Sequence, residues 1–309
     1  MHSIPLIVRL PNWVGDVVMT LPSLQALKSA GFDLQLYGQK WIFDLLQSLP
    51  AKLFYLPKSI RLARNEISKN LATNTLLFTN SFSSALITYL AKKKAVSYKN
   101  TIRNVLLYRS IDKERHLHEV EYFWKIAKLA ALTWLPDASW PTSIPKSIHL
   151  PLNPISELKV EERLKRDNIT DPFIIFCPSA TGAAKQGAYK IWPHWRELSE
   201  QINQLGMTSI MCPGPLEEAY CKQLLPKTKL VAGLNLSELA AMLKRASLVV
   251  SNDSGPMHIA TAVGATVLGI FGSTNPIRTA PWGGSYIGEL GKWPSSHLVL
   301  AQIAKMLNL

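Results

Sequence analysis

Short apolar runs alternate with amphipathic stretches along the whole chain. Residues 4–10 form an unbroken buried-strand run that ends at the turn 11–16. The next stretch, 17–30, places Val18, Leu21, Leu24 and Leu27 on one helical face, and Gly31 stops it. The same alternation predicts strands at 33–37, 52–56 and 75–79, with helices at 41–49 and 81–93. Strands interleaved with helices imply a parallel sheet with crossover connections. Five prolines (136, 141, 145, 151 and 154) then interrupt the pattern and mark a linker or hinge. A second series follows, with strands at 171–176, 207–212, 229–232, 247–250 and 266–271. Its helices fall at 192–205, 217–225 and 236–244, the last with Ser237 as the expected cap. The predicted organisation is α/β, with one domain over 1–150, a second over 151–295 and an amphipathic C-terminal helix over 296–309 that can pack back on the first domain.

A chain of 309 residues, 47% hydrophobic, is comfortable for two such domains. No apolar run reaches the roughly 18–20 residues that a membrane span needs. The start of the chain reads as a first strand rather than a signal peptide. Cys177, Cys212 and Cys221 are odd in number and lack metal spacing, so buried, reduced thiols in the cytoplasm are expected. The net charge of +13 is uneven: residues 1–150 hold 19 Lys+Arg against 9 Asp+Glu, and 151–309 hold 15 against 12. The densest stretch, 92–115, suits a polyanion: nucleic acid, an anionic membrane face or a phosphorylated substrate. The plainer reading is a solvated basic surface. No nucleic-acid-binding motif accompanies the charge.

Three segments carry candidate chemistry. Residues 251–258, Ser-Asn-Asp-Ser-Gly-Pro-Met-His, follow an apolar strand and open a helix. A helix start offers unpaired N–H donors and the positive dipole end, which suit a phosphate at the carboxyl edge of a parallel sheet. Residues 12–20 place Asp16 where strand one hands over to helix one, as a general base or simply as a helix cap. Trp13 beside it could stack on a sugar face. Residues 178–193 form a small-residue loop with Lys185 and Lys190 as candidate phosphate partners. Neither G-x-G-x-x-G nor a Walker A loop occurs at these strand ends. Arg278 and residues 279–283 either line a pocket or close the domain. His116 and His118 read as a charged helix start, with acceptor contact as the sharper alternative.

Asn-Trp-Val-Gly-Asp-Val-Val-Met-Thr-Leu-Pro (12–22), Lys-Ile-Trp-Pro (190–193) and Ser-Asn-Asp-Ser-Gly-Pro-Met-His-Ile-Ala (251–260) resemble, in order and spacing, the heptosyltransferases of glycosyltransferase family 9, closest to the heptosyltransferase II branch. The resemblance covers nearly the whole chain. It implies a GT-B fold, two Rossmann-like domains facing across a cleft, with the acceptor on the first and the nucleotide sugar on the second. It implies inverting transfer of heptose from ADP-L-glycero-D-manno-heptose to the inner core of lipopolysaccharide. Asp16 falls on the family's general base. Thr181, Lys190, Asp253, Ser254, Gly255 and His258 fall on the donor-contacting positions. Glu217, or its neighbour Glu218, falls on the ribose-binding glutamate. Arg61 and Arg64 lie where relatives carry basic residues for the anionic acceptor, and Arg103 from the basic stretch is assigned with them. No cofactor or metal is expected, since no Asp-x-Asp-type motif occurs. A monomer in peripheral contact with the inner membrane face, without nucleic acid, completes the expectation. The loop 178–192 departs from the family form: it is several residues longer, and Ser179 replaces the usual glycine, so Lys185 competes with Lys190 for the phosphate. The alternatives are a GT-B transferase for another nucleotide sugar, an epimerase of the same fold, a nicotinamide dehydrogenase, or a non-catalytic nucleotide-sugar-binding homologue.

Overall fold

The computed structural model describes residues 3–100, 102–114, 116–180 and 190–308. The chain divides into two compact units, Met1–Pro145 and Lys146–Leu309. The first unit alternates strands β1 (Ile4–Arg9), β2 (Phe32–Gly38), β3 (Lys52–Tyr55), β4 (Asn74–Leu77), β5 (Lys94–Tyr98) and β6 (Arg109–Ile111) with helices α1 (Val14–Ser29), α2 (Ile42–Leu45), α3 (Ile60–Ser68), α4 (Phe82–Leu90) and α5 (Glu119–Trp134). A 3-10 turn, Arg103–Leu106, joins β5 to β6. The strands form one parallel sheet in the order β3-β2-β1-β4-β5-β6, with Ile4–Arg9 in register with Phe32–Tyr37. Its central strands are largely buried on both faces, since helices cover both sides. Helix α5 packs on α1 through a face that includes the fully buried Ala127, Ala130 and Ala131, small enough to let the two backbones approach closely.

The second unit repeats the plan with β7 (Phe173–Cys177), β8 (Thr208–Met211), β9 (Lys229–Leu230), β10 (Leu248–Asn252), β11 (Val267–Ile270) and β12 (Ser285–Ile287). Its helices are α6 (Pro154–Arg166), α7 (Trp195–Gln204), α8 (Glu218–Leu224), α9 (Leu236–Arg245), α10 (Gly255–Ala262), α11 (Pro276–Thr279) and α12 (Ser296–Leu307). The strand order is β12-β11-β10-β7-β8-β9, again all parallel. One core cluster joins Phe176, Trp192, Trp195 and Leu198 to Val299 and Ile303 of α12.

The C-terminal helix buries Val299 and Ile303 in the core of the second unit and packs on α7. Several expectations need correction. The boundary falls at 145/146 rather than 150/151, because the Leu150 N–H already bonds the Ala262 carbonyl of α10. Helix α9 is capped by Asn235 in a capping box with Glu238, while Ser237 is buried and its hydroxyl accepts a bond from Ser156 at 2.8 Å. Helix α1 starts three residues earlier than expected, which places Asp16 inside its first turn.

Candidate functional site

In the first unit the strand order reverses direction between β1 and β4, and a parallel sheet opens a crevice at the carboxyl ends of such a pair. A pocket of ≈ 350 Å³ lies there, lined from three segments. Pro11, Asn12, Trp13 and Asp16 come from the β1–α1 turn, and Phe78, Thr79, Asn80 and Ser81 from the β4–α4 turn. Lys113, Glu119, Tyr122 and Phe123 come from the approach to α5 and its first turns. The helix N-cap is Trp13, without a side-chain cap bond, so Asp16 is not the cap. It is a partly buried first-turn acid, which the helix dipole favours in its charged form. Trp13 is 55% exposed at the pocket wall.

Buried polar groups hold this pocket in shape. The Arg9 guanidinium donates to the Leu10 carbonyl and, at 2.6 Å, to Asn12 Oδ1; burial pulls its pKa down to about 10. Arg103 is only 2% exposed, and its basicity is likewise lowered by burial to about 10. It donates to the Thr79 carbonyl at 2.6 Å, the Tyr98 carbonyl at 2.9 Å, Ser97 Oγ at 2.8 Å and Asn80 Oδ1 at 3.5 Å. Asn80 Nδ2 donates to the Tyr122 hydroxyl at 2.6 Å, and Tyr122 stacks on Tyr98 with centroids 4.0 Å apart. Burial pushes the Tyr122 hydroxyl up to about 12, against the opposing effects of Asn80 and Arg103. The Lys113 ammonium stands 5.1 Å from the Tyr122 ring centre. Arg103 is a buried tie beneath Thr79 and Asn80.

Arg61 and Arg64 lie on α3, which contributes nothing to the pocket wall. Both are exposed, and Arg64 Nε donates to the Leu90 carbonyl at the end of α4, a C-terminal capping contact. His118 caps α5, its Nδ1 accepting the Val120 N–H at 3.1 Å, and His116 is exposed beside Glu114.

In the second unit the order reverses between β7 and β10, and Asp253, Ser254 and Gly255 follow directly on the end of β10. Asn252, fully buried at the end of β10, ties it together. Its Nδ2 donates to the Pro178 carbonyl at 2.6 Å, and its Oδ1 accepts the Trp192 N–H at 3.2 Å and Trp195 Nε1 at 3.3 Å. Ser254 is the N-cap of α10 but makes no side-chain cap bond; its hydroxyl pairs with Ser251 at 3.2 Å. The first-turn N–H groups after Gly255 are thus not closed by their own cap residue. Asp253 accepts from Thr279 Oγ1 at 3.1 Å and faces His258 Nε2 at 3.9 Å, with both side chains largely buried. This bond gives the 279–283 segment a domain-closing contact. Helix α10 can sit this close because β11 carries Gly269 beneath it, where a Cβ would meet Met257 Sδ at 2.8 Å.

Glu217 precedes α8 and accepts from Ser179 Oγ at 2.9 Å and, more weakly, from the Gly214 N–H at 3.4 Å. That brings Glu217, rather than Glu218, to the end of β7. Lys190 is partly buried in the turn just before Trp192. Thr181 and Lys185 lie outside the described residues. Cys177 and Cys212 close β7 and β8, and Cys221 lies on α8; all three are buried, and burial raises their thiols, Cys212 to about 12 and Cys221 to about 11. Among the described residues no group of three or more His, Cys, Asp or Glu side chains is placed to hold a metal ion.

Sequence reasoning did not single out Asn252, Arg9, Asn80, Tyr122 or Lys113. A signal existed for Asn252: an amide ending an apolar strand run must find partners when buried. The others depend on which loops the sheet brings together.

Known proteins share this architecture. The glycosyltransferase of family 9 from Veillonella parvula superposes with a TM-score of 0.84 at 16% identity, covering 100% of this chain and 98% of that one. The E. coli ADP-heptose lipopolysaccharide heptosyltransferase II superposes with a TM-score of 0.79 at 20% identity, covering 99% of each. Both show the GT-B fold, built here from two Rossmann-like units. In sequence, the lipooligosaccharide heptosyltransferase 2 of Haemophilus influenzae is 26% identical over 304 residues, 88% of this chain and 84% of that protein. The family model for glycosyltransferase family 9 (heptosyltransferase) matches residues 60–299, which spans both units and the α10 motif, and the chain belongs to that family of glycosyltransferases.

Proposed function

We propose that this enzyme transfers heptose, with inversion, from ADP-L-glycero-D-manno-heptose to a hydroxyl of the lipopolysaccharide inner core. The observation that carries the reading is Asp16, a first-turn carboxylate on the wall of a polar-lined pocket at the β1/β4 reversal. Asp16 accepts the proton of the acceptor hydroxyl as that oxygen attacks the anomeric carbon. The bond from that carbon to the diphosphate oxygen breaks, and ADP leaves with the electron pair. A base in hydrogen-bond reach contributes about 10²–10⁴ in rate. The leaving diphosphate gains charge as the bond breaks, so fixed donors aimed at it stabilise the transition state more than the ground state. Lys190, the N-terminus of α10 at Ser254 and Gly255, and His258 held near Asp253 supply those donors. Thr181 joins them in this reading, and Glu217, oriented by Ser179, takes the ribose hydroxyls. With these cations and dipoles in place the reaction needs no metal, so chelator leaves the rate unchanged.

The names of the relatives support the donor and acceptor classes: one is an ADP-heptose lipopolysaccharide heptosyltransferase, another a lipooligosaccharide heptosyltransferase. The acceptor is a lipid-linked polyanion, in keeping with the charge excess of the first 150 residues. The enzyme works as a monomer in peripheral contact with the inner membrane face; no described helix is long and apolar enough to cross a membrane.

Calorimetry with ADP, UDP and GDP tests the donor: ADP binds most tightly under this reading, and preference for UDP or GDP overturns it. Lys190→Ala weakens ADP-sugar binding. If Lys185→Ala weakens it and Lys190→Ala does not, the phosphate role moves to Lys185.

A further inference from the structure

Helix α4 carries apolar residues on both its buried and its exposed side. Its buried side carries Ser84, Ala85, Ile87 and Thr88, and the hydroxyls satisfy themselves on the helix's own backbone: Ser84 Oγ donates to the Ser81 carbonyl, and Thr88 Oγ1 lies 3.0 Å from the Ser84 carbonyl and 2.9 Å from that of Ala85. Its outward side carries Phe82, Leu86, Tyr89 and Leu90, spaced to form one stripe, with Tyr89 55% exposed. The 3-10 turn packs beside α4 and adds Val105, 81% exposed, with Ile102, 76% exposed, just before it. A helix that turns aromatics to solvent and hydroxyls to the core is built for contact with something apolar.

Charge identifies that partner. From residue 67 to residue 111 the chain holds seven Lys and Arg and not one Asp or Glu. Lys92 and Lys94 follow the stripe directly and are not buried; Lys94 stands 5.1 Å from the Tyr108 ring centre, itself exposed. Lys99 and Arg109 flank the turn, Lys99 paired with Asp112, the first acid after the stretch. Two copies of so cationic a face repel each other, whereas an anionic bilayer attracts it. Aromatic and aliphatic side chains interleaved with lysines are what an interfacial surface presents to headgroups and the acyl boundary.

We propose that the outer face of α4 together with the 102–109 turn seats the enzyme on an anionic lipid bilayer. The inference deepens the reading of a lipid-linked acceptor by naming the docking face, and it is tested without turnover. The full-length protein is sedimented with phosphatidylcholine vesicles with and without phosphatidylglycerol. Binding is expected only with phosphatidylglycerol and is expected to weaken with salt. Tyr89→Ser combined with Val105→Ser weakens it about tenfold, and Lys94→Gln about fivefold. All three residues lie outside the Asp16 pocket, so transfer to a delipidated, water-soluble acceptor stays at the wild-type rate and reports separately on the proposed reaction. Tyr89→Trp adds a second readout over the nine native tryptophans, a blue shift on phosphatidylglycerol vesicles in the difference emission between variant and parent protein. The proposal is overturned by equal binding to neutral vesicles, by unchanged binding of the variants, by an indole that stays solvent-exposed, or by light scattering that shows the stripe buried in a dimer.

Discussion

The two units use one strand plan, each counted outward from its first strand as third, second, first, fourth, fifth and sixth, yet their working residues stand in different places. In the first unit the acid comes from the turn after the first strand, and the turn after the fourth supplies the opposite wall. In the second unit the turn after the fourth strand, at Asp253–Gly255, carries the groups proposed to meet the phosphate, and the loop after the first strand is held against it. The fastenings differ as well. Arg103, a buried cation, ties Thr79 and Asn80 of the first unit, while Asn252, a neutral amide, ties Pro178 and Trp192 of the second. A parallel sheet provides two adjacent loops at its reversal, and which of them carries chemistry is a matter of side chains.

Asp16→Asn is expected to give the largest effect, a fall in kcat of about 10²–10⁴ with ADP affinity unchanged, read by ADP release. Wild-type kcat in that variant would remove the base from the first unit and make the two edges equivalent. Arg103→Ala comes next. It removes the guanidinium's bonds to the Thr79 and Tyr98 carbonyls and is expected to cost about 3 kcal/mol of stability, read by chemical denaturation. Arg103→Lys recovers part of that stability, and a rise in acceptor KM alone, without loss of stability, would return Arg103 to a direct acceptor role. Asn252→Ala is expected to cost about 2 kcal/mol, and ADP affinity falls with it because the ends of the 178–192 loop are released. The smallest effect is alkaline. Cys212 and Cys221 titrate near 12 and 11 in the folded protein against an ordinary value of 9.0, so the unfolded chain loses those protons first. Their contribution to stability is complete below about pH 9 and lost as pH rises through about 11 and 12, while alkylation of all three thiols at neutral pH tracks unfolding.

Much of this was readable before any coordinates. Strands of both sheets follow from apolar runs such as 4–10 and 171–176, whose burial on both faces leaves continuous hydrophobicity. Helices α5 and α6 went unread beside the proline-rich stretch, and several other unread elements are too short to stand out. Strands β6 and β12 have three residues each, and β5 begins with a lysine; they exist because a neighbouring strand pairs with them. Helix α3 buries only Ala63 and Ile67, too sparse a stripe to announce itself. The positions of Asp16, Asp253 and His258 were legible because strand–turn–helix order places each just past the carboxyl end of a strand in its own sheet. The burial of Arg103 was not legible for a physical reason: a basic run does not say which of its members turns inward, and burial is decided by carbonyls near the ends of β4 and β5.

The Asn252 fastening has a consequence for how such an enzyme can diversify. One side chain on a neighbouring strand holds Pro178 on one side of the loop and Trp192 on the other. The span between those two points can gain or lose residues without moving either anchor, and closure entropy changes only slowly with length. A longer chain between those two anchors therefore leaves the frame around it unaltered. Substrate preference can be rewritten by insertion in that span while the scaffold stays the same.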